Sequence, residues 1–316
     1  EIFMQESRQR AHWGAALFAT WVAWAGLPVC AAESVAPIVQ TTQGAVQGVL
    51  ASGVVQYRGM PYAQAPIGEL RWAAPQSPPS WPGVRDASHF GPACPQAPGP
   101  ISDNGPQSED CLLINVSVPP GSGVASKPVI LWVHGSGTVL GSGSYYDPAR
   151  LTLAADAVVV TFNYRLGAFG WLWTSGMQGE ARGHNFALQD QQAAMRWVQR
   201  NIAAFGGDPK RVTLAGQSIG ANSVSVHLAS PTAAGLFQRA FLASGVEPPG
   251  LASSGATASK GDAFAQRLGC AAGSEQMRCL RALSASAILA QSPTYEDIAR
   301  IGVPWQNFVD GELVTQ

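Results

Sequence analysis

Apolar residues in this chain occur in short continuous runs, with stretches of alternating or helical periodicity between them. A continuous run of four to eight apolar residues is typical of a strand that is buried on both faces of a sheet. Such strands are predicted over residues 112–118, 128–133 and 157–164, within 236–245, and at Val212 and Leu214.

Alternation of apolar and polar residues over 38–56, with glycines as punctuation, predicts short antiparallel strands in a hairpin or meander. Residues 57–96 then form a long irregular stretch that is rich in proline, glycine and tryptophan. A loop of this length in a compact domain is usually functional or is held down by its own contacts.

A helix is predicted over residues 185–205, because Leu188, Trp197 and Ile202 recur on one side of a helical wheel. The glycines, aspartate and proline of residues 206–209 are expected to end it. Strands that alternate with helices predict an α/β fold, in which a parallel or mixed sheet carries helices on both faces.

The N-terminus has the pattern of a secretory signal. Met4 is the expected initiator, and the residues before it have no assigned role. Two arginines precede an uncharged apolar run over 13–27, and small residues follow at 29–32. This pattern predicts a signal over residues 1–32 and a secreted or periplasmic protein, with an uncleaved anchor as the alternative. The run is short for a membrane span, so no stable span is expected once the signal is removed.

Four cysteines remain if Cys30 leaves with the signal, and four cysteines allow three pairings. The simplest pairing is Cys94 with Cys111 and Cys270 with Cys279. Each bridge would close a short loop and contribute about 2–3 kcal/mol in an oxidising compartment. The alternative is four free buried thiols.

Composition narrows the function. Charged residues make up 12% of the 316 residues, about half of the usual share, and the net charge is −1. This balance provides no basic patch for nucleic acid. No spacing of cysteine and histidine resembles a zinc site, and neither a metal nor an organic cofactor is expected. The 35 glycines and 23 prolines indicate many loops.

The most informative stretch is 211–229, which reads as an apolar strand, a tight turn and a helix of small residues. The turn is Gly-x-Ser-x-Gly, with Ser218 between Gly216 and Gly220. This motif between a strand and a helix is a nucleophile elbow, in which flanking glycines leave room for strand and helix to cross. Ser218 is therefore predicted to be a nucleophile.

Backbone donors for an oxyanion can also be proposed. The residue after the nucleophile is Ile219, whose N–H would be one donor. A glycine-rich turn after an early strand usually supplies the others, and residues 134–137 (HGSG) have that position. Ser136 and Gly137 are the best candidates, unless HGSG is a plain loop.

A general base cannot be found for Ser218. In this layout the acid and then the histidine follow the serine along the chain. The histidines are His12, His89, His134, His184 and His227. Only His227 follows, and about 13 Å of helix rise separates it from the turn. It is interpreted as a surface or packing residue of the helix.

The chain resembles the type B carboxylesterase/lipase family, the cholinesterase-like serine esterases, from about residue 37 to residue 316. The collinear segments that carry the resemblance are RGMPYAQAPIGELRW, FGPACPQ, SEDCLLINV, VILWVHGSG, FNYRLGAFG, HNFALQDQQAAMRWVQRNIAAFGGDPKRVTLAGQSIGA, LFQRAFLASG and FVDGE. The resemblance implies an α/β-hydrolase fold with a small N-terminal β-sheet and the two disulfides named above. It also implies a small-molecule ester substrate, with Ser218 as nucleophile and Ser136, Gly137 and Ile219 as oxyanion donors.

The chain departs from the family pattern around the serine. It has Ser136 in place of a glycine, Thr138 in place of an aromatic residue, Gln217 in place of glutamate and Ile219 in place of alanine. Backbone donation tolerates these changes, but the bulk of Ile219 predicts a shifted substrate preference. The loop between the first two paired cysteines has no aromatic residue, which argues against a specialist for choline esters.

The family's acid and histidine lie beyond the position of Gln316. We therefore expect an incomplete sequence, truncated before the last strands of the sheet and inactive by itself, from a parent that hydrolyses neutral carboxylic esters. The alternative from another class is a non-catalytic binding or adhesion module on the same fold. A lipase for long-chain or aggregated substrates is a third reading.

Overall fold

A mixed β-sheet forms the centre of the structure, a computed structural model that describes residues 35–99, 105–121, 126–178, 184–246, 250–297 and 305–315. The signal predicted over residues 1–32 lies outside these ranges. The strands of this sheet are β1 (Val35–Gln40), β2 (Ala45–Ala51), β3 (Val54–Pro61), β4 (Val84–Asp86), β5 (Leu113–Val118), β6 (Lys127–Val133), β7 (Val158–Phe162), β8 (Gly207–Gln217) and β9 (Arg239–Ala243).

Among the described residues these nine strands form one sheet in the order β1-β2-β3-β5-β7-β6-β8-β9, and β4 pairs with β2. The neighbours β7, β6, β8 and β9 run parallel to one another. The first strands run antiparallel, from β1 through β2 and β3 to β5 and β7. The α/β architecture expected from the alternating elements is therefore present.

The small N-terminal β-sheet implied by the resemblance is formed by the first strands. They are continuous with the main sheet, because β3 pairs with β5 over the register Val55↔Val118 to Pro61↔Leu113. The meander predicted from alternation over 38–56 is present as β1, β2 and β3. The described residues all belong to one unit, Glu33–Gln316, and β1 begins two residues before the expected boundary at 37.

Continuous apolar runs produced the most buried strands. Every residue of β5 and of β7 is buried. Helices cover the sheet, and this explains why these strands show no alternation of apolar and polar residues. The three predicted runs match β5, β6 and β7 to within two residues at each end.

The helices are α1 (Ala149–Ala155), α2 (Gly167–Trp171), α3 (Phe186–Asn201), α4 (Ile219–Ala229), α5 (Ser254–Arg267), α6 (Gln276–Ala282) and α7 (Ala285–Ala290). Single 3-10 turns occur at Gly68–Leu70, Ser175–Met177, Ile202–Phe205 and Pro231–Ala233. A small parallel pair is formed by β10 (Ala252–Ser253) and β11 (Phe308–Val309). In the described ranges, no helix has both the length and the apolarity that a membrane span needs.

The helix predicted over 185–205 is shorter in the structure. Asn185 has a left-handed backbone with φ of 52° and precedes α3, and the last four predicted residues form a 3-10 turn. Gly206, with φ of 80°, ends that turn. Residues 207–209 were also expected to end the helix. They already belong to β8, because Gly207 pairs with Lys127 of β6.

The long segment 57–96 is held by specific contacts. The guanidinium of Arg71 donates from Nε to Glu109 Oε1 over 2.6 Å and from Nη1 to the Leu283 carbonyl over 2.6 Å. The indole of Trp72 donates to the Ala168 carbonyl over 2.8 Å. This segment also contains β4, which the sequence did not reveal, because its three residues are all exposed.

The two disulfides have the simplest of the three pairings. Cys94 is bonded to Cys111 with a Cα–Cα distance of 5.0 Å, and Cys270 to Cys279 with a Cα–Cα distance of 5.6 Å. The expectation of four paired cysteines after Cys30 is therefore confirmed. Disulfides of this kind fit an oxidising compartment.

Candidate active site

Ser218 lies at the junction of β8 and α4, the strand–turn–helix context that its motif requires. Its backbone angles are φ 55° and ψ −128°, outside the regions that a non-glycine residue normally occupies. The turn is closed by hydrogen bonds on both sides. The N–H of Ser218 donates to the Ala243 carbonyl of β9 over 2.8 Å, and its carbonyl accepts from the N–H of Ala221 over 2.8 Å.

The flanking glycines allow a close crossing of strand and helix. A Cβ added at Gly216 would lie 2.5 Å from the carbonyl carbon and oxygen of Gly220. A Cβ added at Gly220 would clash with the Val133 carbonyl and lie 2.6 Å from the His134 carbonyl. A methyl group fits at neither position, which is the reason for both glycines in the motif.

The HGSG turn packs directly against the elbow. It follows β6, which pairs with β8 up to the register Val133↔Gly216. A Cβ added at Gly135 would lie 3.3 Å from the Cβ of Ser218 and 2.6 Å from the Gln217 carbonyl. The two motifs that were predicted to work together are therefore adjacent.

The last two residues of this turn, Ser136 and Gly137, and the next residue, Thr138, have left-handed backbones with φ of 85°, 68° and 68°. Within the described residues, the N–H groups of Ser136 and Gly137 donate to no protein acceptor. Both residues and Ile219 are partly exposed, whereas their neighbours His134 and Gly220 are buried. The N–H of Ile219 is in the first turn of α4 and has no partner within the helix.

Two anchors hold the far end of the turn. The Gln96 amide donates to the Gly141 carbonyl over 3.0 Å, and its Oε1 accepts the Gly141 N–H over 2.9 Å. Gln96 lies two residues after the disulfide-bonded Cys94. The hydroxyl of Thr138 donates to the Trp305 carbonyl over 2.8 Å. The turn is thus fixed by residues distant in sequence.

His134 is buried beneath the turn and is not exposed to a substrate. Its ring stacks on Tyr164 at a centroid distance of 4.2 Å, and its Nδ1 lies 3.1 Å from the Gly135 carbonyl. Burial lowers the pKa of His134 to about 4. The neutral ring therefore donates from Nδ1 to that carbonyl and serves to support the turn.

The other described histidines are also separate from Ser218. Nε2 of His227 lies 2.8 Å from Gln191 Oε1 in a buried pair between α3 and α4. His89 is exposed and contacts Ser88 and Asp86 in the loop after β4. The ring of His184 packs against Trp173 and Phe308. His12 lies outside the described residues. The interpretation of His227 as a packing residue agrees with its burial.

Sequence reasoning missed the polar groups that support the site from behind. The carboxylate of Asp190 accepts from Arg165 Nε over 2.8 Å and from Arg165 Nη2 over 2.7 Å, and both side chains are buried. The amide of Asn163 joins this region to the loop after the HGSG turn, since its Oδ1 accepts the Gly143 N–H over 2.7 Å. No local signal in the sequence marked the ion pair, because its two residues are 25 positions apart.

In the ranges that the structure covers, no three histidine, cysteine or acidic side chains are grouped as they would be at a metal site. Gln217 beside the serine is an uncharged amide, and the His134 ring is neutral at neutral pH. Within the described residues, the arrangement provides a serine hydroxyl and backbone N–H donors that have no protein acceptor.

Comparison with known proteins gives a consistent result. The model of the Carboxylesterase family matches residues 35–316. The chain is 44% identical over 214 residues to the para-nitrobenzyl esterase of Bacillus subtilis (strain 168), which covers 66% of this chain and 43% of that protein. It is 34% identical over 325 residues to Neuroligin-2 of Mus musculus, with 88% of this chain and 38% of that protein covered.

Solved structures show the same fold. A PNB esterase structure superposes with a TM-score of 0.79 at 39% sequence identity, over 88% of this chain and 58% of that chain. The chain spans about half the length of the curated relatives that it matches.

Proposed function

Since the chain belongs to the carboxylesterase family, we propose that the protein hydrolyses neutral carboxylic esters with Ser218 as the nucleophile. The observation that carries this proposal is the strained backbone of Ser218 in contact with the HGSG turn. Strain of about 1–3 kcal/mol at a non-glycine residue persists where the surroundings enforce it, and such residues cluster at active sites.

In the proposed reaction, the hydroxyl oxygen of Ser218 attacks the ester carbonyl carbon while a base takes the hydroxyl proton. The oxyanion that forms accepts from the N–H groups of Ser136, Gly137 and Ile219, at the positive end of the dipole of α4. The alcohol leaves with the proton. Water then attacks the acyl-enzyme and releases the carboxylic acid and Ser218.

We propose that the acid and base of the triad lie outside the residues described here. No histidine among the described residues contacts the hydroxyl of Ser218. The share of the relatives' length that the chain spans supports this view. A hydroxyl without a base is a weak nucleophile at neutral pH, so the 316-residue chain should have little esterase turnover by itself.

The protein is proposed to be exported. Two disulfides and the signal pattern over residues 1–32 support an oxidising compartment outside the cytoplasm. Small neutral esters are the proposed substrates, since the residues on either side of Ser218, Gln217 and Ile219, are uncharged. A narrowed acyl site next to Ile219 would favour short acyl groups.

The test is labelling with a fluorophosphonate of the protein purified from its natural source, followed by identification of the modified peptide. Stoichiometric modification at Ser218, lost in Ser218→Ala and retained in the control Ser225→Ala, is the expected result. Absence of labelling in correctly folded protein would favour the alternative, a non-catalytic binding module. The departures from the family pattern at Gln217 and Ile219 are weak support for that alternative. Rapid hydrolysis of a p-nitrophenyl ester by the 316-residue chain would contradict an external base.

A further inference from the structure

A cleft of about 260 Å³ lies between α3 and residues 74–77, Asp310, Glu312 and Leu313. It shares no lining residue with the HGSG turn or with residues 216–220. Gln189, Gln192, Arg196 and Arg200 of α3 form one wall, because residues three, four and seven apart share a helix face. Nothing in the esterase chemistry uses this face.

The two arginines lack acidic partners. Among the described residues, no carboxylate lies within 4.0 Å of the guanidinium of Arg196 or Arg200. By contrast, the guanidinium groups of Arg71 and Arg165 are paired with Glu109 and Asp190. Partial burial, with a further effect of the Arg200 charge, lowers the pKa of Arg196. Both arginines are exposed, and an anion between them would offset the repulsion of their like charges.

The exposed side chain of Arg196 is hydrogen-bonded to a buried glutamine. Its Nη2 donates to Gln192 Oε1 over 3.1 Å, and the Gln192 amide nitrogen lies 3.3 Å from the hydroxyl of Ser230. Gln192 is only 2% exposed. The hydroxyls of Ser230 and Thr232 are 3.0 Å apart, and Thr232 also lines the cleft. An arginine held in this way loses less entropy when it binds a ligand.

Two carboxylates, those of Asp310 and Glu312, also line the cleft. Oδ1 of Asp310 accepts the N–H groups of Glu312, Leu313 and Val314, and its Oδ2 accepts from Asn185 over 2.7 Å. Glu312 is exposed at the rim and is not ion-paired with either arginine. The guanidinium groups of Arg196 and Arg200 therefore have no ion-paired carboxylate among the described residues.

We infer that this cleft is a binding site for a small oxyanion of the phosphate or carboxylate class, held by Arg196 and Arg200. Guanidinium groups bind the oxygens of both classes in a bidentate manner. The volume is below the range of about 300–1,000 Å³ for sites of drug-sized ligands, so a compact anion fits better than a long acyl chain. The inference is independent of the proposed esterase activity.

Titration calorimetry on the full chain tests it, with inorganic phosphate and succinate as separate ligands at constant ionic strength. We expect at least one of them to bind with a dissociation constant of about 1 mM or tighter. The double variant R196Q/R200Q should weaken that binding at least tenfold. Arg150→Gln, an exposed arginine on α1, is the matched control and should bind as the wild type does.

Circular dichroism confirms that each variant is folded before titration. Preference for phosphate identifies a phosphate site, and preference for succinate identifies a carboxylate site; both support the inference. Failure of both anions to bind, equal binding by R196Q/R200Q, or equal loss in the Arg150 control would overturn it. An identical response to chloride at the same ionic strength would also overturn it, because simple screening would then explain the effect.

Discussion

At the scale of single residues, the backbone conformation of Ser218 is unfavourable in free energy and is held in place by neighbouring residues. A non-glycine residue in a sparsely populated region costs about 1–3 kcal/mol. The hydrogen bond from the Ser218 N–H to the Ala243 carbonyl and the contact with Gly245 hold the residue from one side. The first turn of α4 holds it from the other. Local sequence alone would not keep this conformation.

Two buried histidines should make stability depend on pH. Burial lowers the pKa of His134 to about 4 and that of His227 to about 3, from an ordinary value of 6.5. Between pH 6.5 and about 4 the unfolded chain binds a proton at each position and the folded chain does not. Stability must therefore fall as the pH falls, by about 1.4 kcal/mol per pH unit for each histidine.

Urea unfolding at pH 7 and pH 5 measures this loss, which should be about 2 kcal/mol for each of the two histidines. His227→Gln should remove about half of this loss of stability between pH 7 and pH 5, because one of the two titrating histidines is gone. Glutamine can still donate to Gln191 Oε1, so the hydrogen bond of the folded protein is kept. His89→Gln is the control, because His89 is exposed. The prediction fails if His227→Gln keeps the full dependence or if the control removes as much.

Individual functional residues differed in how well the sequence revealed them. Ser218 and its two glycines follow from a local motif, and a motif of five residues needs no knowledge of the fold. Gln96 gave no such signal, because its partner Gly141 is 45 residues away. The ion pair of Arg165 and Asp190 was equally hidden. Contacts between distant segments depend on the topology of the sheet, which periodicity does not specify.

At the scale of elements, β6, β8 and α4 cross so closely that no side chain fits at Gly216 or Gly220. The first turn of α4 lies against the carbonyls at the end of β6, and Gly220 is the point of contact. The order β7-β6-β8-β9 places the HGSG turn and Ser218 at the carboxyl ends of two adjacent strands, β6 and β8. Their proximity follows from two parallel strands in adjacent positions.

A matched pair of helical glycines tests this packing. Gly220 and Gly255 each occupy the second position of a helix, but a Cβ at Gly255 would meet no atom within 4 Å. Gly255→Ala should raise the free energy of unfolding by about 0.5–1 kcal/mol through higher helix propensity. Gly220→Ala should lower it by about 1–3 kcal/mol through overpacking.

Urea unfolding of both variants gives the comparison. A Gly220→Ala protein as stable as Gly255→Ala would mean that the strand and helix can separate without cost. The close crossing would then not be the reason for the second glycine of the motif.

Element prediction succeeded where burial controlled the pattern and failed where it did not. The runs that became β5, β6 and β7 are continuous because both faces of these strands are covered. The strand β4 has three exposed residues and pairs with β2 through its backbone, so no apolar pattern exists to detect. The start of α3 was placed one residue early, because Asn185 adopts a left-handed conformation to bond with Phe308 and Asp310.

At the scale of the whole molecule, β9 is the last strand on one side of the sheet. Within the described residues it pairs only with β8, and its Phe241 side chain is 56% exposed. Leu228 and Val246 are exposed nearby in sequence, at 57% and 66%. A sheet edge with free backbone groups and exposed apolar side chains favours pairing with another chain.

The 316-residue chain should therefore aggregate through β9 when it is concentrated. Phe241→Lys places a charge on this edge and should reduce light scattering at a given concentration. Leu151→Lys is the control, since Leu151 is 41% exposed on α1, away from the sheet edge. Equal reduction by both variants would point to net charge as the cause, and no reduction by Phe241→Lys would exclude the β9 edge.

The hydrogen bond from the Ser218 N–H to the Ala243 carbonyl also determines when, during synthesis, the backbone of Ser218 can reach its final conformation. The ribosome delivers Ser218 before Ala243, and domains fold as the chain emerges. Until β9 has left the ribosome and paired with β8, the carbonyl that holds the Ser218 N–H is absent. A nascent chain thus contains the full Gly-x-Ser-x-Gly motif for some time before its serine is held in the conformation seen in the finished fold.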